Sequence, residues 1–95
     1  MATLHIEHPI TDFGTWREAF DRFEERRRAA GVSAVRIHQP VDDPRYVLLQ
    51  LDFPSVEVAE GFRAFLESTV WSVPANSPAL QGSPRAVVLV EPQLH

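Results

Sequence analysis

Residues 12–31 read Asp12-Phe13-Gly14-Thr15-Trp16-Arg17-Glu18-Ala19-Phe20-Asp21-Arg22-Phe23-Glu24-Glu25-Arg26-Arg27-Arg28-Ala29-Ala30-Gly31, and the rest of the chain is organised around them. Phe13, Trp16, Phe20 and Phe23 follow one another at steps of three and four, and Ala30 continues the line. That spacing places all five on one face of a helix. Asp12 is suited to be the N-cap, and Gly31 to be the left-handed residue that ends the helix. The expectation is a single amphipathic helix from Asp12 to Gly31. Arg27 interrupts its apolar stripe, four residues after Phe23 and three before Ala30. Glu18–Arg22 and Glu24–Arg28 are favourable i,i+4 pairs, and the run Arg26, Arg27, Arg28 suits the negative end of a helix dipole.

On the N-terminal side, Thr3 to His8 alternates: Leu4 and Ile6 point one way, Thr3, His5 and Glu7 the other. This is the pattern of a half-buried strand, and Pro9 ends it. On the C-terminal side, Val32 to Gln39 alternates again, with Val35 and Ile37 opposite Arg36 and His38. Pro40-Val41-Asp42-Asp43-Pro44 has turn chemistry. Arg45 to Phe53 is the strongest strand, with Val47, Leu49, Leu51 and Phe53 on one face and Tyr46, Leu48, Gln50 and Asp52 on the other. Pro54 stops it and Ser55 caps a second helix, whose apolar positions are Val58 or Ala59, Phe62, Phe65, Leu66, Thr69 and Val70. From Trp71 to Pro84 the prolines forbid a long helix, leaving room for one turn between Ala75 and Leu80. Val87 to Glu91 is the last predicted strand, ended by Pro92.

The order is β-α-β-β-α-β. Right-handed crossovers then give an α+β, ferredoxin-like fold: a four-stranded antiparallel sheet in the order 4-1-3-2, with two helices on one face. Ninety-five residues make one domain, spanning 1–95. The second sheet face holds Tyr46, Leu48 and Val87 or Val88 beside its polar residues, and no helix of the chain is left to cover it. A mixed patch of that kind marks an interface, which predicts a twofold homodimer with the sheets face to face.

Composition narrows the function. All nine basic residues are arginine and there is no lysine, which excludes Schiff-base chemistry. The absence of cysteine excludes disulfides, thiolate metal sites and cysteine nucleophiles. A net charge of −4 offers no basic face for nucleic acid. No apolar run approaches the ~20 residues of a membrane span, and no signal peptide is visible, so the cytoplasm is the expected location. His5, Glu7, His38 and Asp52 share one sheet face, yet metal-motif spacing is absent. They are read as an interfacial polar network, with no metal or other cofactor expected.

Several stretches together resemble the dimeric α/β-barrel superfamily, which includes the antibiotic-biosynthesis monooxygenase-like proteins. They are His8-Pro9-Ile10-Thr11-Asp12-Phe13-Gly14-Thr15-Trp16, Gly31-Val32, Asp42-Asp43-Pro44, Phe62-Arg63-Ala64-Phe65-Leu66 and Gln81-Gly82-Ser83-Pro84. The resemblance covers nearly the whole chain, though none of these stretches is a catalytic signature. It implies a pocket between the helices and the sheet of each subunit. It also implies, as the leading chemistry, cofactor-independent oxygenation of a phenolic compound, or a related cyclisation or isomerisation. The haem-degrading members of that superfamily carry an asparagine, a tryptophan and a histidine where this chain has Leu4, Phe65 and Pro74, which argues against haem degradation.

Four residues are candidates for such a pocket. His8 lies at the strand end where the cleft should open. It either bonds to the loop Pro9–Thr11 or acts as a general base on a phenolic substrate. Arg27 either packs its stem and snorkels, or holds a developing anion. Trp16 sits in the helix stripe, and Trp71 follows the second helix; each is either core or a pocket wall that packs on rings. The competing reading is a non-enzymatic ligand-binding, stress-related or structural dimer. Trp16, Phe20, Phe62 and Phe65 would then fill the space that an enzyme would leave open.

Overall fold

Four strands form by the alternation just described: β1 (Ala2–Pro9), β2 (Ala34–His38), β3 (Tyr46–Phe53) and β4 (Arg85–Leu89). They are seen in a computed structural model that describes residues 1–92. The strands pair in the order β2-β3-β1-β4, antiparallel throughout, which is the predicted 4-1-3-2 order read from the other edge. Three helices accompany the sheet: α1 (Phe13–Asp21), α2 (Glu24–Ala29) and α3 (Val56–Phe65). This is the ferredoxin-like fold. A π-helical turn (Leu66–Val70) continues α3, and a 3-10 turn (Pro74–Asn76) follows it.

Both predicted caps are present. Asp12 Oδ1 accepts from the Thr15 amide at 2.8 Å, and the Ser55 hydroxyl accepts from the Val58 amide at 3.2 Å. Gly31 ends α2 with φ of +92°, where an L side chain is strained. Gly31→Ala is therefore expected to lower the unfolding free energy by about 1 kcal/mol, measured by urea denaturation. An unchanged midpoint would mean that the turn relaxes at no cost.

The expected single helix from Asp12 to Gly31 is two helices. Phe23 adopts φ −101° and ψ 14°, and its amide bonds back to the Phe20 carbonyl at 3.2 Å, so the ladder stops there. The break turns the Phe23 ring edge-on to Phe65 of α3, 6.2 Å away. Helical spacing cannot reveal such a break, because the apolar step is locally the same on either side. The last strand begins two residues earlier than predicted, at Arg85, and ends at Leu89. Pairing with β1 decides this: Arg85 lies opposite Glu7 and Leu89 opposite Thr3.

Leu4, Ile6, Val47, Leu49, Leu51 and Phe53 are buried under the helices as their alternation requires. Val35 departs from the expectation and is 41% exposed. It lies on edge strand β2, where a groove lined by Val32, Val35 and Ile37 runs beside α1 and α2.

The opposite sheet face carries a connected polar network. The Arg36 guanidinium donates to both carboxylate oxygens of Asp52 at 2.8 and 2.9 Å, and its Nε donates to Gln50 at 3.1 Å. Gln50 meets His5 Nδ1 at 3.3 Å, and His5 Nε2 meets Glu7 at 2.7 Å. Thr3 donates to Asp52 and Tyr46 donates to Glu7, both at 2.8 Å. The network exists because the β2-β3-β1 register sets Arg36, Gln50 and His5 side by side. His5, Glu7 and Asp52 are members, as expected; His38 is exposed and makes no side-chain hydrogen bond among the described residues. No metal-ligand cluster occurs among the described residues.

Candidate functional site

Between the helices and the sheet lies a cavity of about 70 Å³. Its floor is Ile6 and His8 on β1 with Leu49 and Leu51 on β3; its walls come from α1, α2, α3 and the turns after α3. His8, Trp16, Arg27 and Trp71, the four candidate residues, all line it. They come from β1, α1, α2 and the turn after α3. Apart from His8, Arg27, Asn76 and Ser77 the wall is apolar, so the cavity is a poor place for water and a good one for hydrocarbon.

His8 is buried at 3% exposure. Its side chain falls on the helix-facing side of β1 by the same alternation that buries Leu4 and Ile6. Nδ1 lies 2.9 Å from the Pro9 carbonyl oxygen. A carbonyl oxygen only accepts, so Nδ1 carries the proton and Nε2 is the basic nitrogen. Nε2 has no hydrogen-bond partner among the described residues. Burial lowers the imidazole pKa below its ordinary 6.5, and the bond to Pro9 offsets only part of this. His8 is therefore neutral at pH 7, a base with a free lone pair beside an apolar cavity.

Arg27 is also buried, at 7% exposure. The break between α1 and α2 explains how. In an unbroken helix the Phe20 carbonyl would accept from the amide of residue 24. Here it accepts from the Phe23 amide and from Arg27 Nη1 at 2.6 Å. The guanidinium carbon stands 3.6 Å from the Phe20 ring centroid, a cation–π contact. Desolvation lowers the Arg27 pKa, while Asp21 and Glu24 oppose that shift. The cation is held by a carbonyl and a ring face, and no carboxylate forms an ion pair with it within 4 Å among the described residues.

Trp16 stacks on Phe20 at 4.9 Å between centroids and touches Phe13 at 5.6 Å, so it is both core and cavity wall. Phe62 and Phe65 pack at 5.6 Å on the other side. These rings fill part of the space between helices and sheet, and the cavity is what they leave.

Trp71 reaches the cavity through the π turn. Nine residues after Phe62, a continuous α-helix would put it about 180° around the axis, facing away. The Trp71 amide bonds instead to Leu66 O at 2.7 Å, the i→i+5 bond of a π turn. One extra residue in the turn rotates everything after it by about 100° and brings Trp71 towards the sheet. Leu66, Val70, Asn76 and Ala79 also line the cavity. Of these, Asn76 and Ala79 lie in the proline-rich segment where no periodicity exists to read.

Neither a family model nor a curated protein matches the sequence. Solved structures do match its fold. One is an antibiotic biosynthesis monooxygenase, 14% identical, with a TM-score of 0.69 over 98% of this chain and 100% of that one. Another is a monooxygenase from the gene ActVA-Orf6 of Streptomyces coelicolor, in complex with the ligand nanaomycin D. It is 16% identical, with a TM-score of 0.64 over 99% of this chain and 89% of that one. A third is a dimeric ferredoxin-like protein from an uncultured marine organism, 12% identical, with a TM-score of 0.59 over 97% of each chain. Among the described residues, no helix is long and apolar enough to cross a membrane. The chain thus has the ferredoxin-like fold that these monooxygenases and dimeric proteins share.

Proposed function

We propose that this chain forms a homodimer whose subunits each bind a small hydrophobic, phenolic ligand in the helix–sheet cavity. The observation that carries the reading is the convergence of a neutral buried imidazole, a buried guanidinium and two indoles on one apolar-walled cavity. The nanaomycin D complex of the ActVA-Orf6 protein supports the ligand class by likeness of fold.

The chemistry follows from the two polar groups. His8 Nε2 accepts the proton of a phenolic hydroxyl, giving imidazolium and phenolate. Arg27 offers the cation that stabilises the phenolate, while Trp16 and Trp71 pack on the ring. A phenolate is electron-rich enough to react with dioxygen without a cofactor; the same proton transfer serves a cyclisation or isomerisation. The test is calorimetric binding of 1-naphthol together with oxygen uptake. His8→Ala is expected to reduce turnover about 100-fold or more, and the wild-type rate to fall on the acid side of a pKa below 6.5. Undiminished turnover in His8→Ala would remove His8 from the mechanism.

The dimer places the two open sheet faces together. Leu48 and Val87 flank the hydrogen-bonded row Arg36–Gln50–His5, an arrangement with internally satisfied polar groups and half-buried apolar ones. Light scattering at micromolar concentration is expected to give twice the 10.7 kDa of one chain. A monomer mass would overturn the assembly.

A further inference from the structure

A cavity of about 70 Å³ is too small for the ligand class proposed above. An apolar cavity that holds benzene measures about 150 Å³, and ordinary ligand pockets start near 300 Å³. The partly open site must therefore widen to take such a ligand, and its neighbouring grooves show where it can. Two surface grooves flank the cavity. One shares Phe20 and Arg27 with it; the other, of about 400 Å³, shares Trp71 and Leu80.

The two partitions differ in how firmly they are held. Arg27 is tied to the Phe20 carbonyl at 2.6 Å and lies on the Phe20 ring, which itself stacks on Trp16. Moving either residue breaks a buried charge-assisted hydrogen bond and a cation–π contact. Trp71 enters no aromatic pair, and its indole N–H makes no hydrogen bond among the described residues. It sits at the end of the π turn and leads into the 3-10 turn, a short segment whose backbone is retained by Ser72 Oγ on Ser68 O at 2.6 Å and Asn76 Nδ2 on Thr69 O at 2.8 Å. The far end of the segment is anchored: Thr11 N bonds Ala79 O, Gln81 N bonds Pro9 O, and Ile10 bridges Leu80. Between these anchors the Trp71 side chain is held by packing alone, without the hydrogen bond and cation–π contact that hold Arg27.

We propose that Trp71, closing against Leu80, is the gate of the cavity, and that the outer groove receives the polar end of an elongated ligand. The proposal rests on the cavity being the ligand site. With the gate turned aside, the cavity and groove become continuous and reach ring-ligand size. The groove also sets the chemistry of the ligand's outer end. Its cation, Arg63, is flanked by Glu60 at 3.6 Å and Glu67 at 3.4 Å, so the groove has no uncompensated positive charge. Ser72 and Ser83 add hydroxyls. This surface favours a neutral hydrogen-bonding end, such as an amide, lactone or hydroxyl, over a carboxylate.

The test uses stopped-flow fluorescence with 6-hydroxy-2-naphthamide and 6-hydroxy-2-naphthoate, whose ring hydroxyl enters first. Leu80→Ala is expected to speed association and dissociation of the amide about tenfold, and Trp71→Ala to speed both with a larger rise in dissociation, because it also loses its contact with the ring. Val32→Ala, in the other groove, is expected to leave both rates unchanged, and circular dichroism melts establish that each variant is folded. Two variants are used so that one failing to fold still leaves a test. Amide binding about fivefold tighter than carboxylate, with the gap closing in Glu60→Gln/Glu67→Gln, is the expected selectivity. Wild-type rates in both gate variants would overturn the gate and leave the cavity reading intact. Equal or tighter binding of the carboxylate would overturn the assignment of the groove. No binding of either probe to any variant would overturn both the gate and the ligand reading.

Discussion

Phe53→Ala is expected to remove about 3–5 kcal/mol of unfolding free energy. Phe53 has no exposed surface and is among the largest fully buried side chains. It ends β3 opposite Ala2 and packs its ring 5.5 Å from Phe62, the residue that seats α3 on the sheet. Truncation would leave a cavity between two elements held apart by their own backbone bonds, which limits collapse into the gap. A domain of this size is stable by only about 5–15 kcal/mol, so the variant would be partly unfolded in mild urea. Urea denaturation of Phe53→Ala beside Phe53→Leu checks this. A loss below about 1.5 kcal/mol in the alanine variant would show that the core repacks around the site.

The second large effect is acid lability from the open sheet face. The Asp52 carboxyl is held at about 2, below its ordinary 3.8, chiefly by the Arg36 guanidinium and then by Thr3. Its folded pKa is depressed, so its contribution is complete above pH 3.8 and is lost as pH falls towards 2. Solvent around the half-exposed Arg36 screens part of this contribution. Glu7 is lowered as well, first by His5 and then by Tyr46, and adds a loss beginning below 4.5. His8 contributes in a separate window. Its pKa is also depressed, but it is a base, so protonation favours the unfolded chain as pH falls below 6.5. Unfolding free energy is thus expected to decline in two stages, below pH 6.5 and again below about 4. Asp52→Asn should flatten the second stage and lower stability at pH 7, because Arg36 loses its carboxylate; His8→Phe should flatten the first. A pH profile of Asp52→Asn parallel to wild type would rule out the Arg36–Asp52 pair as its source.

The network that holds Asp52 also bears on assembly. Its polar groups bond to one another within the subunit, so covering them with a second copy would not strand them unpaired. That distinguishes the face from one bearing scattered charges, whose burial would be costly.

How much of this was legible in the chain depends on the range of the interaction concerned. Alternation in residues 3–8 and 45–53, the Asp12 and Ser55 caps and the Gly31 terminus are set by neighbours within four residues. These local signals were enough for the strand order, because short connections and right-handed crossovers leave few topologies open. The burial of His8 was also legible, since its place on the helix-facing side follows from strand period alone.

The candidate site was legible as a set of residues and not as an arrangement. Arg27 stood out by breaking the stripe, yet its partner is a carbonyl freed by a helix break that leaves the stripe spacing unchanged. Trp71 was phased away from the cavity until one π turn rotated it inward. Val35 carried the same alternation as Ile37 but sits beside a groove, because the edge of a sheet is decided by strand order. Sequence by itself determined the elements, their caps and the fold, through interactions that repeat every two or four residues. Only tertiary structure decided that His8, Trp16, Arg27 and Trp71 meet at one cavity, and how small it is. Those outcomes depend on register, helix phase and packing volume, which are properties of the closed chain and leave no local period to read.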